Sequence, residues 1–114
     1  SFDCIILGMG EDGHTASLFP SHSLLTSEEE HVDYIMDSPK SPPERVTLTF
    51  RSLNKAENVI FAAAGGGKAD VISKFFSKTS DKLTLDDNSA FPCAMVRNKG
   101  KLIWLLDDSA VSKL

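Results

Sequence analysis

The sequence has no long apolar run, no tract of basic residues and little cysteine. No apolar stretch approaches the length needed to cross a bilayer, and no signal-peptide pattern opens the chain, so we expect no membrane as a partner. The formal net charge is -4, without a stripe of lysine and arginine interleaved with aromatic residues. This charge pattern argues against a nucleic acid as a partner.

The two cysteines, Cys4 and Cys93, lie far apart and belong to no CxxC pair. Because structural metal sites are usually built from such pairs, we expect no metal site. Two free thiols are typical of a reducing compartment, which favours a cytoplasmic location. A disulfide between the two cysteines is the less favoured alternative.

The chain of 114 residues is long enough for one modest domain, residues 1–114. Apolar and β-branched runs alternate with segments of helical spacing, which indicates an α/β fold with an open, largely parallel, Rossmann-like sheet flanked by helices. The predicted strands are residues 2–8, 33–38, 45–50, 58–64, 91–96 and 101–107, and the predicted helical pieces are residues 14–19, 51–57, 68–78 and 107–114. Residues 39–44 and 78–89 are predicted to be loops.

The first predicted strand, residues 2–8, is almost entirely apolar, which is typical of a strand buried on both faces. It follows Ser1 at once, without a start methionine. We therefore expect the chain to be a fragment of a longer protein.

A pattern of apolar strand, glycines and helix occurs twice, around residues 5–19 and 59–76. In open parallel sheets, ligands bind at the carboxyl ends of the strands, where such turns gather. Glycines there let a ligand approach the backbone and expose N–H groups to it. A helix that begins at the turn favours an anion.

The second turn, "AAAGGGKAD", places Lys68 directly after three glycines. Backbone N–H donors beside an ammonium group suit a phosphate monoester. The turn is not a nucleotide P-loop, because Ala69 stands where that motif needs Ser or Thr. A flexible linker whose lysine points into water is the alternative.

The first turn, "GMGEDGHTASLFP", contains Asp12 and His14 on either side of a glycine. His14 can take and return a proton near neutral pH, and Asp12 could hold its imidazole in one tautomer. The alternative is that Asp12 caps a short helix in which His14 is a surface residue.

The motif "LGMGEDGHTASLFP" resembles the signature of the 6-phosphogluconolactonases, which share a superfamily with the glucosamine-6-phosphate isomerases/deaminases. The resemblance continues through "DSPKSPPERVTLTF" and "GGGKADVI" to the end of the chain. Because members of the family are considerably longer, it implies that the chain is the C-terminal portion of a longer domain whose N-terminal part is missing. It implies metal-independent hydrolysis of 6-phospho-D-glucono-1,5-lactone in the oxidative pentose phosphate pathway, without a cofactor. The partner is then a sugar phosphate, with a fusion or functional link to glucose-6-phosphate dehydrogenase as a further expectation.

The resemblance also implies roles for individual residues. His14 matches the base that activates water, Asp12 is its neighbour, and Lys68 matches the lysine that holds the phosphate. We expect backbone N–H groups near Gly65 and Gly67 to bind the phosphate together with Lys68. Those near Gly8 and Gly10 are expected to stabilise the negatively charged oxygen that forms when water attacks the lactone carbonyl. Arg45 matches a family position and is a candidate substrate-binding residue.

One segment distinguishes the two branches of the superfamily. The deaminases carry a glutamate after the motif histidine, in a stretch similar to "DGHxAFNEP", whereas this chain has "DGHTASLFP" with Leu18 and Phe19. Proton shuttling on an open-chain sugar needs that carboxylate and lactone hydrolysis does not, which favours the lactonase. A deaminase-like enzyme and a non-catalytic sugar-phosphate-binding fragment remain the alternatives.

Overall fold

The computed structural model describes all 114 residues, and its centre is a three-stranded parallel sheet. The sheet consists of β1 (Cys4–Leu7), β4 (Asn58–Ala63) and β7 (Lys101–Leu106), in the order β1-β4-β7. In the register of the sheet, Leu7 lies opposite Phe61, which lies opposite Trp104. The predicted α/β class with a parallel sheet is confirmed, and the three apolar runs that predicted these strands form them.

Two antiparallel hairpins and three short α-helices surround the sheet. The hairpins are β2 (Val32–Ile35) with β3 (Arg45–Leu48), and β5 (Phe76–Thr79) with β6 (Lys82–Leu85); the helices are α1 (Phe50–Asn54), α2 (Ala69–Phe75) and α3 (Pro92–Met95). Two 3-10 helices lie at Ser23–Thr26 and Gly66–Lys68. No helix is long and apolar enough to cross a membrane.

The core lies on one face of the sheet. Val59 and Phe61 of β4 are fully buried there, and the Phe61 ring stacks on Trp104 with ring centroids 4.2 Å apart. Phe75 of α2 also packs against Trp104, with ring centroids 5.6 Å apart. Each of the three helices contributes buried side chains to this one apolar cluster.

The opposite face of the sheet is exposed. Ile6 is 72% exposed and Leu105 57% exposed, although both lie within strands of the parallel sheet. The prediction that the first strand is buried on both faces is therefore wrong for this structure. The reason is that every helix packs on the inner face, so that nothing covers the outer one.

Residues 14–19 do not form the predicted helix. Ala16 has a φ of +50°, and the segment folds as tight turns closed by a bridge between Thr15 and Leu18. Tertiary hydrogen bonds replace helical ones: the Thr15 hydroxyl donates to the Gly8 carbonyl, and the Ser17 N–H donates to the Thr47 hydroxyl.

Three other predictions near the C-terminus are also wrong. Residues 91–96 were expected to form a strand, but Pro92–Met95 is a helix, with a proline in the first turn where its missing N–H is tolerated. The predicted loop at 78–89 contains most of the β5–β6 hairpin. Residues 107–114 form turns instead of a helix.

Candidate functional site

The turn that follows β1 holds a carboxylate and an imidazole in direct contact. The Asp12 Oδ1 atom lies 2.5 Å from His14 Nδ1 and also accepts the His14 backbone N–H at 3.1 Å. The turn is closed by its own backbone, since the Gly10 N–H donates to the His14 carbonyl at 2.9 Å. An ionised Asp12 therefore accepts the proton on Nδ1 and leaves the Nε2 lone pair of His14 free.

Glycines at two positions make this arrangement possible. A Cβ on Gly10 would overlap with the His14 imidazole, which lies directly against the Gly10 backbone. Gly13 has a φ of +86°, in the left-handed region, and packs against Phe91. The sequence "GEDGH" is thus a compact frame that fixes one side-chain pair.

Asp12 is held in its charged form. Burial alone would raise the pKa of this carboxyl, but the hydrogen bonds from the His14 side chain and backbone, with the charges of His14 and Lys40, bring it below the usual value of 3.8. The side chains of His14 and Asp12 are 21% and 31% exposed, so water reaches the pair. A carboxylate that stays ionised can support positive charge on the imidazole when the imidazole takes a proton.

The turn that follows β4 is built differently. Gly65 has a φ of +94°, and its N–H donates to the Asp107 carboxylate at 3.0 Å. The N–H groups of Gly66 and Gly67 donate to no protein group. This turn therefore presents free backbone donors, which an anion could use.

Asp107 was not predicted as part of this region. Its pKa is lowered by hydrogen bonds from the backbone N–H groups of Gly65 and Ala110. It directly follows β7, so its position could have been inferred, because the carboxyl ends of parallel strands meet at one edge of a sheet. Asp107 accepts the Gly65 N–H, which leaves Gly66 and Gly67 as the open donors of the turn.

The two turns are in contact. The Lys68 ammonium donates to the Met9 carbonyl at 2.5 Å, and Met9 directly precedes Gly10, on which the His14 ring lies. The Glu11 carboxylate lies over Gly67, where it would overlap with any Cβ. The structure thus brings Asp12, His14 and Lys68 to one edge of the sheet, and adds Glu11, which the sequence did not single out.

Arg45 is linked to His14 through the Phe19 ring. Its guanidinium carbon is 5.6 Å from the centroid of the Phe19 ring, and the other neighbour of that ring is the His14 imidazole at 4.7 Å. Arg45 and Lys68 therefore approach the site from different elements, β3 and the second turn. Phe19, which is 1% exposed, is a buried component of the site that sequence reasoning missed.

The site is an open surface and not an enclosed cavity. None of the three concavities of the molecule is lined by Asp12, His14 or Lys68, and only Arg45 of the predicted site residues lines one of them. No group of three or more His, Cys, Asp and Glu side chains is placed to hold a metal ion. The arrangement offers an oriented imidazole as a proton acceptor, next to a lysine and free N–H groups that could bind an anion.

The parallel sheet and its two contacting turns define an α/β protein with a carboxylate–imidazole pair beside a glycine-lysine turn. A profile described as "Glucosamine-6-phosphate isomerases/6-phosphogluconolactonase" matches residues 1–104, and the chain belongs to this family. The resemblance drawn from the sequence motifs is thereby confirmed.

Within this family, the chain is similar to several proteins named 6-phosphogluconolactonase. The chain is 50% identical to the 6-phosphogluconolactonase of Rattus norvegicus over 99% of its own length and 41% of the relative's. It is 47% identical to the 6-phosphogluconolactonase of Homo sapiens, over 99% of its own length and 42% of the relative's. The crystal structure of 6-phosphogluconolactonase from Leishmania guyanensis superposes with a TM-score of 0.71 at 34% identity, covering 95% of this chain and 40% of that one. The chain thus spans about two fifths of the length of the curated relatives it matches.

Proposed function

We propose that this chain carries the proton-transfer pair and the phosphate-binding turn of a 6-phosphogluconolactonase, which hydrolyses 6-phospho-D-glucono-1,5-lactone to 6-phospho-D-gluconate. One observation carries the proposal: the hydrogen bond from Lys68 to Met9, which joins the turn suited to an anion to the turn that holds Asp12 and His14. The 50% identity to the rat 6-phosphogluconolactonase supports the substrate.

The 6-phosphate binds at the second turn in this proposal. Lys68 supplies a positive charge, and the free N–H groups of Gly66 and Gly67 supply donors on the same side. Charge-assisted hydrogen bonds of this kind are about twice as strong as neutral ones. The sequence analysis expected Gly65 and Gly67 to assist; the Gly65 N–H is engaged by Asp107, so Gly65 contributes its left-handed backbone instead.

His14 acts on the other end of the sugar. Its Nε2 atom takes a proton from water as the water oxygen attacks C1 of the lactone. The same proton then passes to the ring oxygen as the C1–O bond breaks, which gives the carboxylic acid and regenerates the neutral imidazole. Asp12 keeps the ring oriented throughout. Backbone N–H groups near Gly8 and Gly10 were the expected donors to the negatively charged oxygen of the tetrahedral intermediate. The Gly10 N–H is occupied by the His14 carbonyl, so the proposal keeps only the N–H groups around Gly8 for this role.

The deaminase alternative lacks the residue that it needs. Leu18 and Phe19 occupy the segment in which the deaminases carry a glutamate, and both are buried apolar side chains. No carboxylate is therefore available there for proton shuttling on an open-chain sugar. We propose a cytoplasmic location for the protein, and the link to glucose-6-phosphate dehydrogenase stays a prediction.

The test is a pair of assays on the purified chain. We expect release of acid from 6-phosphogluconolactone above the spontaneous rate, and no ammonia from glucosamine 6-phosphate. Ammonia release would contradict the proposal in favour of the deaminase. Binding of 6-phosphogluconate without any acceleration of lactone hydrolysis would contradict the proposal and show that the chain is a non-catalytic sugar-phosphate-binding module.

A further inference from the structure

The His14 imidazole is supported on one face by an aromatic ring. The Phe19 ring lies 4.7 Å from it, at an interplanar angle of 31°, and Phe19 itself is almost completely buried. Asp12 contacts the Nδ1 edge of the imidazole and the Gly10 backbone lies against its Nδ1–Cε1 side, so Phe19 is the side chain that supports the ring beyond these two contacts. The orientation of His14 therefore depends on where Phe19 is held.

Phe19 is in turn covered by Arg45. The guanidinium carbon lies 5.6 Å from the centroid of the Phe19 ring, within the range of a cation–π contact. Arg45 is the first residue of β3, so its backbone is fixed by pairing with Ile35 of β2. A rigid strand thus places a planar cation on the ring that supports His14.

The same guanidinium closes the loop that connects β2 to β3. Its Nε atom donates to the Pro42 carbonyl at 3.0 Å, and Nη2 donates to the carbonyls of Lys40 and Ser41 at 3.1 and 2.8 Å. Three carbonyls that converge on one guanidinium form a clamp that a lysine could not reproduce, because its ammonium lacks the planar fork. Only Nη1 is left without a hydrogen-bond partner in the protein.

The clamp also places Lys40. The backbone carbonyl of Lys40 is held by Arg45 and by the Ser38 hydroxyl, and the Lys40 charge is one of those that lower the pKa of Asp12. Lys40 makes no direct ion pair with Asp12, whose ion-pair partner is His14. The Arg45 guanidinium therefore holds the backbone of the loop that carries Lys40 and also packs on the ring that lies against His14.

We propose that Arg45 is a positioning residue of the Asp12–His14 pair: it is held by three carbonyls of the loop between β2 and β3 and packs on Phe19, so that Phe19 supports the His14 ring. This role differs from the substrate contact expected from the sequence. It predicts that loss of the guanidinium disturbs His14 even when no substrate is present.

The test uses NMR of the histidine ring resonances in the ligand-free chain. The Phe19 ring current shifts the His14 ring protons, and a Phe19→Leu variant gives the size of that shift. We expect Arg45→Met and Arg45→Lys each to move the His14 ring resonances toward their positions in Phe19→Leu, while those of the exposed His31 stay in place. Circular dichroism checks that each variant folds; if Arg45→Met unfolds, Arg45→Lys decides.

Kinetics supply a second readout, which rests on the proposed function. We expect both Arg45 variants to lower kcat for lactone hydrolysis about tenfold with less than about a twofold change in KM, because small misplacements of a catalytic group lower turnover strongly. Arg51→Met is the matched control, since Arg51 also donates to a backbone carbonyl, that of Glu28, but contacts no residue of the site.

Two outcomes would overturn the proposal. His14 resonances that stay unchanged in Arg45→Met, with a raised KM, would make Arg45 a substrate-binding residue instead. An Arg45→Lys variant that behaves like the wild type would show that charge alone suffices and that the clamp is irrelevant. Absence of lactonase activity in the wild type would contradict only the proposed function, because the NMR measurement needs no substrate.

Discussion

The two turns at the carboxyl edge of the sheet differ in how they use their backbone donors. In the turn after β1, the N–H groups of Gly10, Gly13 and His14 are all satisfied inside the turn. In the turn after β4, those of Gly66 and Gly67 are unpaired. The first turn is therefore closed on itself, whereas the second is open to a ligand.

This difference matches the chemistry proposed for each turn. A base must hold its reactive atom in a fixed direction, so its frame benefits from internal hydrogen bonds that lock Asp12 against His14. A group that binds an anion must keep its donors free, because an N–H that is already paired cannot hold a phosphate. Lys68 links the two by donating to the backbone of the first turn.

The largest effect is expected from His14→Ala in the closed turn. General base catalysis contributes about 10²–10⁴-fold, so kcat for lactone hydrolysis should fall by about that factor, with little change in KM. Initial rates corrected for spontaneous hydrolysis measure it. His31→Ala is the matched control, because His31 is exposed and lies outside both turns. A loss below about threefold would show that His14 is not the base.

A matched pair of glycine substitutions tests whether the closed turn is the less tolerant one. In Gly10→Ala the new Cβ overlaps with the His14 imidazole, whereas in Gly66→Ala the Cβ meets nothing within 4 Å. We expect Gly10→Ala to lower kcat about 10- to 100-fold by displacing the ring, and Gly66→Ala to change it less than about twofold.

The histidine ring resonances provide the structural readout for this pair. They should move in Gly10→Ala and stay in place in Gly66→Ala. Equal effects of the two substitutions, on either kcat or the resonances, would remove the distinction between a closed and an open turn.

The apolar runs of the sequence predicted the central sheet well, because parallel strands that contribute to a core are rich in Ile, Val, Leu and Phe. The pairing of Asp12 with His14 was also predictable, because the two side chains are only two positions apart and the glycine between them allows a tight turn. The contact between the two turns followed from the rule that the carboxyl ends of parallel strands share one edge.

Features that depend on tertiary contacts were not predictable. Residues 14–19 have helical spacing, but the buried hydroxyls of Thr15 and Thr47 form hydrogen bonds across the fold that an α-helix would break. The support of His14 by Phe19 joins residues only five positions apart, yet it depends on that unusual turn. The position of Glu11 over Gly67 depends on the packing of two distant segments.

Two charge changes of opposite sign at the open turn should alter anion binding in opposite directions. Lys68→Ala removes a cation and its charge-assisted hydrogen bonds, so the Kd for 6-phosphogluconate should rise about tenfold or more. Glu11→Gln removes a carboxylate that lies over Gly67, so the Kd should fall about twofold, the size expected of an exposed charge.

Isothermal titration calorimetry measures both dissociation constants. Lys74→Ala is the control for Lys68, because Lys74 is an exposed lysine of the same helix region without an ion pair. Tighter binding in Lys68→Ala, or unchanged binding in both variants, would place the phosphate elsewhere on the chain.

The smallest effect concerns the stability that Asp12 gives to the closed turn. Its pKa lies below 3.8 in the folded chain, so its contribution is present above the pKa of the unfolded chain and is lost as the pH falls through the folded value. We therefore expect Asp12→Asn to lower the free energy of unfolding by less than about 1 kcal/mol at pH 6, since the carboxylate is partly exposed. This difference should shrink steadily below about pH 4.

Urea denaturation at a series of pH values measures the difference in the free energy of unfolding. Asp81→Asn, in the exposed β5–β6 turn, is the control. A difference that grows on acidification would mean that Asp12 is stabilised by burial in its neutral form, which is incompatible with a carboxylate that supports a charged imidazole.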